Sequence, residues 1–390
     1  VSMNYKCKRI PGFYFQCFSL AVYCNPGSFP SLENALTTLA IIRETLLSNL
    51  KQICRSSTET ESNMILSQSS LKLQPRCIAT TLSTVPFRDP HLACRTMLEH
   101  FPEAPCVPKL SLSLRRYIDG MPCLVIDPEK RRITYDLSMK SQLQTFYERY
   151  IAEDLEYFAM NAKYAPGFYT FLNILKLAPP ADLKMIHIGL PGPLTWGLSL
   201  LNHETKKPAW YDHTMREVLI ITLTIKARWQ KKKIEAVLPD IPVLVSFGEP
   251  LLGVIDSPFG SVSVEEIIDT FDELLNGIDC AGEVHCCSNM DWAKLMQTGT
   301  NVINFDAYQF ANKIALYPAP LSEFISRGGM LAWRIVPVNP ETLAAENYDN
   351  LLDKLEAGVD RLVRGGLDRR SLLEQSFITP CCDAGTLTPD

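Results

Sequence analysis

The chain has 390 residues, a 46% apolar fraction and a formal net charge of −5, with an isoelectric point near 5.8. That length allows one large domain or two ordinary ones, and the apolar share is enough for a sizeable core. The acidic balance leaves no electrostatic footprint for nucleic acid, and no apolar run reaches the roughly 18 residues of a transmembrane helix. The 13 cysteines are too few for a disulfide scaffold, and the adjacent pairs among them suit a reducing, cytoplasmic setting.

Residues 1–75 read as an extension outside the folded domain, poorly ordered at least in part. Lys6, Lys8 and Arg9 precede the apolar stretch 12–23, which has the layout of a secretory leader. Gln16 and Ser19 interrupt it, however, and no small-x-small cleavage site follows. Leu39, Ile42, Leu46, Leu50 and Ile53 recur at helical spacing. The polar stretch 55–63 reads as a linker, so Met64 is the earliest start expected for the folded portion and 76–390 the domain proper.

Strand-like runs then alternate with helical ones. Strands are expected at 79–84, 105–110, 185–190, 242–247, 283–287, 301–306, 330–336 and 376–381, the second being the weakest. A surface hairpin is expected over 122–135. Helices are expected at 142–158, 212–237, 264–275, 291–297 and 351–363. Ser263 and Glu266 form a capping-box signature for the third of these. Lys231, Lys232 and Lys233 read as a solvated helix end rather than a binding patch. Eight strands alternating with helices predict an α/β fold, a (β/α)8 TIM barrel with an N-terminal extension.

The chemistry concentrates in Gly282-Glu283-Val284-His285-Cys286-Cys287-Ser288-Asn289. Residues two apart on a strand face the same side, so His285 and Cys287 can reach one point. Imidazole and thiolate are the donors zinc prefers, and a second thiol source sits at Cys381-Cys382. Three such donors with a fourth position open make a catalytic rather than a structural zinc site. The alternative is two sets of buried cysteines and a satisfied core histidine. Asp306 and Glu249 also end predicted strands, at the rim where barrel enzymes keep their sites. Asp306 is either a labile metal ligand, a partner for a substrate amine, or the cap of the next helix. Glu249 is either a polar contact to substrate or a structural partner of a barrel arginine. His187 reads as a core or rim residue.

From about Ile78 to Leu387 the chain resembles the superfamily of uroporphyrinogen decarboxylase and cobalamin-independent methionine synthase. It is most similar to the methionine-synthase-like and corrinoid:thiol methyltransferase branch. The pieces run in order: Ala79–Pro86, Phe101-Pro102-Glu103-Ala104-Pro105, Gly192-Pro193-Leu194-Thr195, Glu249-Pro250, Val284–Asn289, Phe305-Asp306-Ala307-Tyr308, Gly328-Gly329 with Trp333–Pro337, and Thr379-Pro380-Cys381-Cys382. The departures are Ser83-Thr84-Val85 for Gly-Ser-Leu, Gly248 for Asp, Arg334 for Gly and Asp383 for Gly.

The resemblance implies zinc held by His285, Cys287 and Cys382, with Cys286 and Cys381 as bystanders and Asp306 near the place of a further ligand. It implies transfer of a methyl group from a methylated corrinoid or a methyltetrahydrofolate-type donor to a zinc-activated thiol of the homocysteine or coenzyme M class. A corrinoid protein is then an expected partner, and no nucleic acid or membrane is. The additional N-terminal barrel of full-length methionine synthase has no counterpart here, which weakens the case for folate. The competing expectations are a uroporphyrinogen decarboxylase-like enzyme, although no arginine-rich motif stands near the first strand, and a non-catalytic corrinoid- or metal-binding barrel, which the four departures favour.

Overall fold

The computed structural model describes residues 32–56, 73–82, 84–110, 114–254, 262–381, 385 and 387. The leader-like run, most of the polar linker, Met64 and Cys382 lie outside the described residues. In chain order the strands are β1 (Ile78–Ala79), β2 (Leu124–Asp127), β3 (Arg132–Tyr135), β4 (Ile186–Pro191), β5 (Leu201–Asn202), β6 (Val243–Gly248), β7 (Ala281–Cys286), β8 (Val302–Phe305), β9 (Met330–Val336) and β10 (Ser376–Pro380). Seven of them make one curled parallel sheet in the order β1-β10-β9-β8-β7-β6-β4. The predicted hairpin forms as β2 and β3, antiparallel, with Leu124 opposite Tyr135 and Asp127 opposite Arg132.

The regular ladder thus has seven strands where the sequence predicts eight. The segment 105–110 meets both edges of the sheet through single bridges, Cys106 with His187 on β4 and Lys109 with Thr84 beyond β1. The Val107 N–H donates to the His187 carbonyl at 2.8 Å, and the Val85 N–H to the Lys109 carbonyl at 3.1 Å. The reason is local: Pro105 and Pro108 remove two donors from a stretch of six residues, so no continuous ladder can run there.

Alternation along the strands sorts the inner face into layers. Leu244, Ala281, Val302, Met330, Ala332 and Phe377 form an apolar floor. Two residues further along each strand stand Thr80, His187, Ser246, Glu283, Asn304, Arg334 and Thr379, all buried. The next step reaches the rim with Gly189, Gly248, His285, Asp306 and Cys381. The outward residues, among them Val284, Phe305, Leu331 and Trp333, pack into the main core.

Helices Val264–Gly277 and His213–Glu235 match the predicted stretches closely. The first begins with the predicted capping box, Ser263 Oγ accepting from the Glu266 N–H and Glu266 Oε2 from the Ser263 N–H, both at 3.1 Å. The helix predicted over 142–158 stops at Ile151, because Glu153 takes a left-handed φ of 50° and turns the chain. At the basic helix end, Lys231 meets Glu235 and Asp279, and Lys233 meets Glu156.

Part of the N-terminal extension is packed rather than poorly ordered. Leu32–Ser56 form a helix with Leu36, Leu39, Ile42 and Leu46 buried in the main core. It lies against β1, β10 and the helices Tyr348–Arg364 and Arg369–Glu374. Arg43 pairs with Glu103, which also pairs with Lys184. Burying each of those aliphatic side chains is worth roughly 1.5–3 kcal/mol, so this helix contributes to the stability of the domain.

Candidate functional site at the rim of the parallel sheet

His285 lies at the end of β7 and Cys287 just past it, and their Nε2 and Sγ atoms stand 3.2 Å apart. Two ligands of a tetrahedral zinc, at about 2.1 Å and 2.3 Å from the metal, lie about 3.6 Å apart. The strand alternation therefore delivers the expected pair close to ligand spacing. Cys286, between them, points the other way; burial pushes its thiol up to about 12, as befits an inert core cysteine.

A cation already faces this pair. Arg334, fully buried on β9, brings Nη1 to 3.4 Å from His285 Nε2 and 3.4 Å from Cys287 Sγ. Its guanidinium donates to the carbonyl of Cys381 at 2.9 Å and to that of Cys286. Burial alone opposes the Arg334 charge, yet Cys287, Asp306 and Cys381 around it outweigh burial and hold its pKa above the usual arginine range.

Against a zinc ion the described residues fit in one respect and fail in three. The donor pair has the right separation. Its common face, however, is taken by a guanidinium. Two unit charges about 4 Å apart interact by roughly 4 kcal/mol at an effective dielectric near 20, and a divalent ion doubles that repulsion. His285 Nδ1 is buried with no hydrogen-bond partner, whereas a ligating histidine has its second nitrogen held. Among the described residues no group of three His, Cys, Asp or Glu side chains converges as a metal site. Cys382, the third expected ligand, lies outside the described residues; the thiol placed beside Arg334 is that of Cys381, whose Sγ donates to the Arg334 carbonyl at 3.3 Å. Burial raises that thiol well above its ordinary value, with Asp306 adding to the effect.

The two carboxylates have structural occupations. Asp306 caps the helix Ala307–Ile314, its Oδ1 accepting from the Gln309 N–H and its Oδ2 from Gln309 Nε2, each at 3.0 Å. Burial pushes its carboxyl above the ordinary range against the pull of Arg334. Glu249, fully buried, has no arginine partner in this arrangement. It accepts the N–H of Leu194 on Oε1 and that of Thr195 on Oε2, both at 2.8 Å, and so anchors the start of helix Pro193–Ser199. A Cβ on Gly192 would come within 2.1 Å of the Glu249 carboxyl carbon. The Gly-Pro-x-Thr and Glu-Pro pieces are thus two halves of one joint.

Below the rim a pocket enclosing about 290 Å³, open solvent included, is lined by Leu82, Cys106, Lys109, His187, Ser246 and His285 among others. Two of these, His187 and Ser246, belong to a buried polar network behind it. Glu283 Oε1 accepts from Ser246 Oγ at 2.6 Å and from Asn304 Nδ2 at 3.0 Å, and stands 3.7 Å from His187 Nε2. His187 is a buried interior residue, as expected, with Nδ1 3.2 Å from Thr80 Oγ1; burial pulls its pKa below the ordinary histidine value. Glu283 Oε2, His187 Nε2, Asn304 Oδ1 and Thr379 Oγ1 have no partner.

Sequence reasoning passed over Glu283 and Arg334 as site residues. Both were within reach of it: each is a charged residue at an inward position of an otherwise apolar strand. No family model matches the chain, and no curated protein matches it. Among the described residues no helix is long and apolar enough to cross a membrane.

Proposed function

We propose that the chain is a small-molecule-binding barrel on the methionine-synthase-like plan, with 105–109 closing the sheet, and that it carries out no zinc-dependent methyl transfer. The observation that carries this reading is the Arg334 guanidinium, 3.4 Å from both donors expected to hold the metal. Asp306 and Glu249 support it, each being engaged as a helix anchor. The ligand is small and acidic, meeting the unmatched Nε2 of His187 and the ammonium group of Lys109, both of which line the pocket. Buried polar atoms without partners are costly unless water or a ligand supplies them. The paired cysteines keep to a reducing setting such as the cytoplasm.

The test is a calorimetric and thermal-shift screen of amino acids and small thiols against the full chain, beside an assay of methyl transfer from methylcobalamin and methyltetrahydrofolate to homocysteine and coenzyme M. Binding that Lys109→Ala abolishes, with no methyl transfer, is the expected result. Turnover of any methyl donor overturns the reading.

The 3.2 Å approach of His285 to Cys287 favours a second reading, the zinc-dependent thiol methyltransferase. There His285, Cys287 and Cys382 hold zinc, which supplies a thiolate nucleophile at neutral pH. Arg334 must then leave its present position.

A further inference from the structure

We infer that Arg334 has taken the place of a metal ion at this centre, so that the chain as it stands keeps zinc out and removal of this one side chain lets zinc in. The inference goes beyond the binding reading and does not depend on which ligand the pocket takes.

Three observations carry it. Arg334 is aimed at the centre by strand alternation, following Met330 and Ala332 on the inner face of β9. It is held there from two sides, by the carbonyls of Cys286 and Cys381. Its Nη1 is equally distant from His285 Nε2 and Cys287 Sγ, so the cation covers the face on which both donors present lone pairs. A guanidinium bonds those lone pairs through N–H groups, and a metal needs the same lone pairs. The two cations are therefore mutually exclusive. Without Arg334 the donor pair keeps its separation, because His285 is fixed by the β7 ladder and by the Glu249 N–H on its carbonyl at 2.7 Å.

The experiment measures zinc bound to the full chain after incubation with zinc and desalting, in the wild type, in Arg334→Gly and in Arg334→Gly with Cys287→Ser. Mass spectrometry of the metal gives the content, and cobalt(II) substitution gives a thiolate charge-transfer band as an independent signal. Wild type should retain background zinc. Arg334→Gly should retain roughly tenfold more or better, and Cys287→Ser should return it to background. If the glycine variant loses its fold by circular dichroism, Arg334→Ala takes its place. Stoichiometric zinc in the wild type overturns the inference, and so does a folded glycine or alanine variant that gains none. Methyl transfer by a zinc-free wild type would sink the binding reading and leave this inference standing. Zinc in a wild type that transfers no methyl group would do the reverse.

Discussion

Two buried polar regions lie side by side at the end of this sheet, and they are built on opposite terms. At the Glu249 joint every group is matched: two carboxylate oxygens take two helix N–H groups, and Gly192 leaves room for them. In the interior one strand away, Glu283, His187, Asn304, Thr379, His285 and Arg334 each keep a buried atom without a partner. Unmatched buried atoms are costly, and ordered water can supply the missing partners. The matched joint is closed on itself; the interior is not.

That contrast breaks most easily at the joint. Glu249→Ala strands two N–H groups in a dry corner and should cost about 3 kcal/mol or more, read as a shift in the urea midpoint. A loss under about 1 kcal/mol would show that the joint is not structural. Gly192→Ala should cost less, about 1–3 kcal/mol, because the new Cβ overpacks the same carboxyl group. Glu283→Gln in the interior should cost under about 1 kcal/mol without ligand, since an amide keeps an oxygen for Ser246 and Asn304. A large loss there would mean that the interior is structural too.

The pH dependence sharpens the comparison further. Burial pushes the Glu249 carboxyl up from 4.5 to about 7, against the bonds from Thr195 and Leu194. The folded chain therefore binds this proton more tightly than the unfolded one. Its contribution to stability is fully present below about pH 4.5 and is lost as the pH rises through about 7. The stability difference between wild type and Glu249→Gln should fall by up to about 1.4 kcal/mol per pH unit across that window. A flat difference would show that the carboxylate stays ionised throughout.

Much of the frame was legible because strand period and burial agree. The run 330–336 stands in the structure with its predicted bounds, and the capping box at Ser263 is where a four-residue pattern places it. The segment 105–110 was the weakest of the predicted strands, and its two prolines are why it meets the sheet through single bridges only. Asp306 was legible as a cap from its position before Ala307. The role of Glu249 was not, since its partners lie 55 and 54 residues earlier in the chain and no local pattern announces them. Arg334 stood out in the sequence only as a departure from a motif; that its side chain reaches past β8 to the end of β7 follows from sheet order, which one sequence does not display.

The placement of Arg334 also bears on what a short metal-like motif can mean. His285 and Cys287 are the neighbours of a buried positive charge, and losing either would leave that charge less well accommodated. A His-x-Cys pair at a strand end can therefore be needed to accommodate an arginine, and its presence is by itself no measure of whether a metal binds there.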